Sequence, residues 1–294
     1  MARIWALVLL LVSTSADAAF YFVREGQIVR LGPEISYLVE DPKSPRTFED
    51  VSRASDGWIS QKDKPYAAAD GPASIWMRFD VPADIGAKPV FINVPLWEHE
   101  EFFIVRDGAL VDRERAGGAL KRSERTVRVT MIPVASAGFA PLEVKPGART
   151  TVYAHLETSN RYYSADLLLA RLWDADRVLE GERRDRLVQG IFYGVLFFLI
   201  SYNLALFLVV RESAFLYYVL MELGFATTWT AVTGVSVEYL TPNHPGWDFY
   251  YVWIGGAIGG FGGWQFVREF LDTRKHFPRM DRALALIAYA NFLV

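Results

Sequence analysis

Cysteine is absent from the 294-residue chain, which removes any disulfide framework and any thiolate chemistry. A basic excess is missing as well. The 31 Lys and Arg residues face 34 Asp and Glu, a formal net charge of −3, so nothing is in surplus to neutralise phosphates and nucleic acid is excluded as a partner. Histidine is scarce: of the four (His99, His155, His244, His276), none has a second histidine at metal-ligand spacing. No metal and no other cofactor is therefore expected. A Gly-x-Ser-x-Gly elbow is lacking too, because Gly234-Val235-Ser236-Val237 runs into Glu238. With no catalytic constellation visible, the chain is not expected to be an enzyme by itself.

Apolar residues, by contrast, are abundant. They make up 52% of the chain and aromatics 15%, which excludes disordered and collagen-like chains. The mean hydropathy of +0.14 is too high for a typical soluble protein and too low for a pure membrane protein. Two regions of opposite character are being averaged. The pattern predicts a multi-domain membrane protein, in which an all-β, jelly-roll-like sandwich ectodomain precedes an incomplete α-helical transmembrane bundle.

Residues 1–18 read as a secretory signal. Arg3 gives the positive start, nine apolar residues follow at 4–12, and Ala16-Asp17-Ala18 is a small-x-small cleavage site. Nine residues make about 13 Å of helix, far short of the roughly 30 Å hydrocarbon core. Residues 19–173 are expected to be a periplasmic β-sandwich sensor. Strand-like segments fall at 35–39, 74–81, 90–94, 101–105, 126–129, 151–156 and 165–170, most with period-two alternation. Turn clusters such as Asp56-Gly57, Asp107-Gly108, Gly117-Gly118 and Pro146-Gly147 separate them. Many short strands in one soluble half point to a sandwich rather than an α/β enzyme fold.

Residues 174–186 form a charged stalk with acids and bases nearly balanced, and 187–294 the membrane region. Transmembrane helices are expected at about 187–210, 215–235, 249–271 and 283–294. The first runs for 24 residues without a formal charge. The last is only twelve residues, about 18 Å as a helix, and lacks the polar face of an interfacial segment. The chain is accordingly expected to be a fragment that stops within its fourth helix. A translocated ectodomain places the loop at 272–282 in the cytoplasm. That loop holds Arg274, Lys275, Arg279 and Arg282 whereas 236–247 holds no Lys or Arg, in keeping with the positive-inside bias. The expected location is the bacterial inner membrane, multi-pass, with the N-terminal domain periplasmic.

Several residues stand out as candidate sites. In the glycine run 255–263, Gly255, Gly259 and Gly263 recur at small-xxx-small spacing, which lets helix backbones approach closely. Glu222 lies about 15 Å along its helix from the Arg211-Glu212 break. An acid at that depth needs a partner or a water-filled cavity. It is either a switching or ion-coupling group or a hydrogen-bonded packing residue, with Gln265, Trp264 or Asn203 as partners. Asn203 itself reads as an interhelical hydrogen-bond residue. In the soluble half, Trp97 and His99 and the cluster Asn160, Arg161, Tyr162 and Tyr163 are candidate ligand contacts. Recognition residues concentrate in loops at the end of a sandwich; the same cluster also suits a turn carrying headgroup-level aromatics.

The strings Ile35-Ser36-Tyr37-Leu38-Val39-Glu40-Asp41 and Ser74-Ile75-Trp76-Met77-Arg78-Phe79 resemble the second type of periplasmic domain in one family. That family is the bacterial seven-transmembrane receptors with diverse intracellular signalling modules. Gln189-Gly190-Ile191-Phe192-Tyr193-Gly194-Val195, Tyr202-Asn203-Leu204, Phe215-Leu216-Tyr217-Tyr218-Val219-Leu220 and the stretch 234–242 resemble the opening of its seven-helix region. The resemblance implies a carbohydrate-binding-like sensor outside, seven helices in the membrane, and a cytoplasmic output such as a diguanylate cyclase, histidine kinase, adenylate cyclase or phosphatase. The expected function is an inner-membrane receptor that binds a small periplasmic ligand and relays the signal through its helices. Its expected partners are that ligand, the lipid bilayer and a second copy of the chain. The alternative is an ion-coupled transporter using Glu222.

Overall fold

The computed structural model describes residues 27–41, 43–67, 72–86, 88–94, 97–127, 138–159 and 168–291. The signal at 1–18 lies outside them. The chain divides into two compact units, 1–183 and 184–294.

Among the described residues the first unit has ten strands: β1 (Gln27–Leu31), β2 (Ser36–Val39), β3 (Ile59–Ser60), β4 (Ala73–Asp80), β5 (Pro89–Asn93), β6 (His99–Arg106), β7 (Ala109–Ala116), β8 (Ala140–Glu143), β9 (Thr150–Thr158) and β10 (Ala170–Asp174). They form a four-stranded sheet, β1-β10-β5-β8, and a six-stranded sheet, β3-β2-β4-β9-β6-β7. Every strand pair is antiparallel. Alternation along β4 sends Ile75, Met77 and Phe79 to the core, where they meet Val152, Ala154 and Leu156 of β9. Val90, Ile92, Leu142 and Leu172 come from the four-stranded sheet. Each of these side chains larger than alanine contributes about 1.5–3 kcal/mol when fully buried.

Both outer faces carry apolar cover of their own. A short helix, α1 (Phe48–Arg53), is held by a capping box in which Thr47 and Asp50 bond reciprocally. It lies over Leu38, Trp76 and Phe103 on the six-stranded sheet, with Phe48 stacked on Phe103 at 4.6 Å. On the four-stranded sheet, Phe91, Phe139 and Trp173 pack against Ala175 and Val178.

Backbone chemistry explains two turns. Asp107 (φ 49°) and Gly108 (φ 83°) close the β6–β7 hairpin with both residues left-handed, the conformation for which Asp-Gly is favoured. Gly117 (φ 115°) passes so close to the Glu98 carbonyl that a Cβ there would overlap it.

The sequence pattern does not mark β1, β3, β7 or β8, and it displaces the last strand. β10 covers Ala170–Asp174, later than the expected 165–170, of which 165–167 lie outside the described residues. Of the expected strand at 126–129, Thr126 and Val127 form no strand and 128–129 lie outside the described residues. β7 escaped notice because Asp112, Arg113, Glu114 and Arg115 make it polar on both faces, as an edge strand tolerates.

β10 runs without a loop into α2 (Ala175–Val210), where the Asp174 carboxylate accepts the Arg177 N–H at 3.1 Å. The expected stalk is thus the first part of that helix. The remaining helices are α3 (Ser213–Val232), α4 (Asp248–Phe270), α5 (Thr273–His276) and α6 (Pro278–Ala290), with a π-helical turn at Ser236–Leu240. Among the described residues α2 alone is long and apolar enough to cross a membrane, with 6% of its apolar window buried. A core helix of a soluble protein would be mostly buried. α3 and α4 occupy two further expected spans. Glu222, Trp229 and three threonines dilute the apolar character of α3, and six glycines that of α4. α6 begins at Pro278, before the expected 283, and its first turn is charged.

α3 and α4 meet along a glycine seam. A Cβ at Gly224 would overlap the backbone of Gly259, and one at Gly262 would reach Met221 N at 2.5 Å. Gly255 and Gly259 belong to this seam as their spacing predicts. Gly263 makes only ordinary contact with Met221, and Gly256 faces open space. Polar clusters flank the seam. At one end Ser236 hydrogen-bonds Asp248; at the other Arg268 grips Asp281 through two bonds of 2.9 and 3.0 Å while Thr273 donates to the same carboxylate at 2.8 Å.

The seam predicts that Gly224→Ala destabilises the helical unit by roughly 1–3 kcal/mol through overpacking. Gly256→Ala should be neutral or stabilising, since alanine is the better helix former by about 1 kcal/mol. Thermal unfolding of the two variants in detergent checks the contrast.

A second prediction concerns Glu100. Its register opposite Ala116 and Leu156 points it into the sandwich core, where it is 2% exposed and neither carboxylate oxygen has a partner among the described residues. Burial pushes its carboxyl well above the ordinary 4.5. Above 4.5 the unfolded chain has lost a proton that the folded chain keeps, so this group costs stability as pH rises. Glu100→Gln should match the parent protein in thermal melts below pH 4.5 and exceed it increasingly through neutrality.

Candidate functional site

The outer face of the six-stranded sheet carries the polar residues that the core rejects. Outward positions run in cross-strand rows. Ser36 of β2 lies opposite Arg78 of β4, Arg78 opposite Tyr153 of β9, and Tyr153 opposite Phe103 of β6. One row on, Asp80 lies opposite Thr151 and Thr151 opposite Val105. These rows and the β6–β7 turn border a groove of about 460 Å³, with Glu34 and Arg149 also on its wall.

The two arginines of this groove are held differently. Arg149 is paired, its Nη2 lying 2.7 Å from Asp80 Oδ2 while Thr151 donates to Asp80 Oδ1 at 2.6 Å. Burial raises the Asp80 carboxyl, but the bonds from Thr151 and Arg149 outweigh it and leave the group below its ordinary value. Arg78 instead lies over the Trp58 ring, 4.3 Å from its centroid, and Trp58 meets Tyr153 edge to face at 6.1 Å.

Over the next two rows of the same face, Glu40, Ser74 and His155 come together. Ser74 Oγ donates to Glu40 Oε2 at 2.5 Å. Both the Ser74 hydroxyl and the Glu40 carboxylate lie 2.9 Å from the same ring nitrogen, His155 Nε2. A hydrolytic relay needs the carboxylate on Nδ1 and the hydroxyl on Nε2, so these three residues do not form one. They act as a latch. Glu40 Oε1 also accepts the Arg46 N–H at 2.6 Å and the Trp76 indole at 3.3 Å, and the His155 ring stacks on Trp76 at 4.6 Å. The segment leading into α1 is fastened to the sheet by these bonds.

Of the ligand contacts predicted from sequence, Trp97 belongs to the core. It is 1% exposed, against Tyr66, so it offers no surface for recognition. His99 is exposed at the start of β6, opposite Glu157. Asn160, Arg161, Tyr162 and Tyr163 lie outside the described residues. The structure does not bring Trp97 and His99 into the groove. Arg78, Asp80, Thr151 and Tyr153 were missed, although they occupy the outward positions of two segments that alternation had identified. A tryptophan and an arginine on the polar face of a strand were the available signal.

In the helical unit Asn203 bonds the Leu199 carbonyl of its own helix at 2.9 Å rather than a neighbouring helix. Glu222 has Tyr218, one turn away on α3, as a hydrogen-bond partner. Gln265 is engaged by Arg268 at 2.6 Å. Among the described residues no three acidic or histidine side chains are grouped to hold a metal ion.

The latch yields a pH prediction. Burial raises the Glu40 carboxyl, but the donors from Ser74, Arg46 and His155 outweigh it, and the net value lies below the ordinary 4.5. The stability it contributes is full above 4.5 and lost as pH falls through the lowered value. Glu40→Gln should lower the melting temperature at neutral pH, and its deficit should shrink on acidification. Melting curves of both proteins across that range test this.

Residues 32–168 match the family model described as 7TMR-DISM extracellular 2, and residues 185–294 match that described as 7TM diverse intracellular signalling. No curated protein matches the chain. Among solved structures, a putative β-galactosidase from Bacteroides fragilis is similar over 49% of this chain and 22% of its own, at 13% identity and a TM-score of 0.30. A β-glucuronidase of glycoside hydrolase family 2 is similar over 49% and 17%, at 10% identity and 0.28. A β-glucosidase from Kluyveromyces marxianus, solved with glucose, is similar over 55% and 21%, at 13% identity and 0.28. The chain spans about a fifth of the length of these enzymes. Both family models name one receptor family, its extracellular domain followed by its membrane domain, and the chain belongs to that family, 7TMR-DISM.

Proposed function

We propose that the protein is a multi-pass receptor of the bacterial inner membrane, with the β-sandwich in the periplasm as the sensor of a small ligand. α2, α3 and α4 then cross the bilayer and relay the ligand's presence to a cytoplasmic output module. The observation that carries this reading is the junction at Asp174. β10, an internal strand of the four-stranded sheet, becomes α2 without an intervening loop. The first turn of α2 is also packed onto that sheet through Ala175 and Val178. A change in the sheet therefore has a hydrogen-bonded path into the helix.

Ligand binding drives such a relay only by differential affinity. A ligand that binds both packings equally shifts nothing, and each tenfold difference between the two states is about 1.4 kcal/mol of bias. The exposed apolar surface of α2, including Leu187, Ile191, Phe197, Phe198 and Val209, suits lipid or neighbouring helices. The basic loop following α4 supports a cytoplasmic end there.

The test is a four-residue insertion after Glu180, which rotates the rest of α2 by about 40° and moves it by about 6 Å. In the receptor carrying its output module, the expected result is ligand binding with the output no longer responding. An output that still follows ligand as in the parent protein would sink the proposal.

A further inference from the structure

We infer that the outer-face groove is a receptor site for a small monocarboxylate, seated on Arg78. The inference rests on reading the sandwich as a ligand sensor and adds the chemical class of what it senses.

Three hydrogen-bond donors stand side by side in one cross-strand row: the Ser36 hydroxyl, the Arg78 guanidinium and the Tyr153 hydroxyl. Antiparallel register fixes all three on the same face, with neighbouring side chains about 5 Å apart. All three line the groove. Among the described residues no protein acceptor takes a hydrogen bond from any of them.

The charges are unequally spent. Arg149 and Asp80 neutralise one another at 2.7 Å. Among the described residues Arg78 forms no such ion pair, although its charge also acts on Asp80; its guanidinium lies over the Trp58 ring, 4.3 Å from the centroid, a contact that holds the guanidinium plane against the ring. A planar fork of donors held in advance matches a carboxylate, which accepts two parallel bonds and loses little entropy on binding. Glu34, which leads into β2 and also lines the groove, is exposed and uses one oxygen on the Gly32 N–H at 3.1 Å. It can accept from a ligand hydroxyl. It also repels a second negative charge, so one unspent cation beside Asp80 and Glu34 favours a monoanion over a phosphate dianion. The volume of about 460 Å³ lies within the size range of small-molecule sites.

The test uses the whole chain in lipid nanodiscs, titrated calorimetrically with D-glucuronate, L-lactate and propionate. Each is paired with a neutral counterpart: methyl D-glucuronate, L-lactamide and propionamide. The expected result is saturable binding of at least one acid, about tenfold or more tighter than its neutral counterpart. Arg78→Gln should weaken that binding by about tenfold or more, the scale of a charge-assisted pair. Arg149→Gln should weaken it less, because its guanidinium is already engaged by Asp80. Arg78→Lys, which keeps the charge and loses the fork, provides an intermediate loss should the glutamine variant melt early.

Equal binding of acid and neutral counterpart, or binding indifferent to Arg78→Gln, overturns the carboxylate class while leaving the sandwich a sensor. Failure of every acid to bind at millimolar concentration also overturns it. The insertion in α2 judges the receptor reading separately, so the two failures are distinguishable.

Discussion

The pairing of β4 with β9 is the constraint on which the first unit depends. Eight consecutive register pairs, from Ala73 opposite Thr158 to Asp80 opposite Thr151, lock which side chains face inward, because a slip of one residue would exchange the faces. Inward go Ile75, Met77, Phe79, Val152, Ala154 and Leu156. Outward go Trp76, Arg78, Asp80, Thr151, Tyr153 and His155. The hydrophobic core therefore does more than stabilise. By fixing the register, it also places the groove's arginine beside its tyrosine and the latch's histidine beside its tryptophan. Core residues and groove residues alternate along the same two strands.

Three glutamates show how position on this sandwich decides the behaviour of one side chain. Glu40 faces outward into a set of donors that more than offset its burial, so it stays ionised and fastens a segment. Glu100 faces inward among apolar side chains, with no donor among the described residues, and burial pushes its carboxyl well above the ordinary value. Glu98 is buried as well, and its Oε2 accepts from both the backbone N–H and the hydroxyl of Ser159, at 2.8 and 2.6 Å. Between Glu40 and Glu100, burial alone does not set the direction in which the carboxyl shifts. The supply of donors does.

Alternation and turn chemistry made the centre of the sandwich legible in the sequence. The segments at 35–39, 74–81, 90–94, 101–105 and 151–156 are β2, β4, β5, β6 and β9 within a residue or two at most boundaries. Asp107-Gly108 announced its hairpin. What failed was the edge and the transition. The polar edge strand β7 has no core face to pattern, and β10 looked like the end of an apolar run because the break at Asp174 is a helix cap and not a turn. The ligand contacts were sought in an aromatic loop cluster. The groove instead draws on Ser36, Arg78, Asp80, Thr151 and Tyr153, which are distant in sequence and meet only through register. In the helices the small-residue spacing was readable along α4. Its partner Gly224 was not, because a lone glycine in α3 has no period of its own.

The contacts within the helical unit also rank its elements by how easily they could shift in a relay. α3 and α4 are locked by backbone approach at Gly224, Gly255, Gly259 and Gly262. The Ser236–Asp248 bond and the Arg268–Asp281–Thr273 cluster brace the two ends. Such a seam cannot slide without forcing glycine backbones into collision, and interfaces of that kind switch between discrete packings or not at all. α2 meets α3 differently, through Phe192 against Phe225 and Trp229 and through the Tyr193–Thr233 hydroxyl pair at 3.3 Å. Aromatic edges tolerate rotation and small translation better than a glycine seam does. If a ligand's binding energy is to be converted into movement, the less costly coordinate is α2 turning against a fixed α3–α4 pair, and α2 is the helix that the sandwich holds by its first turn.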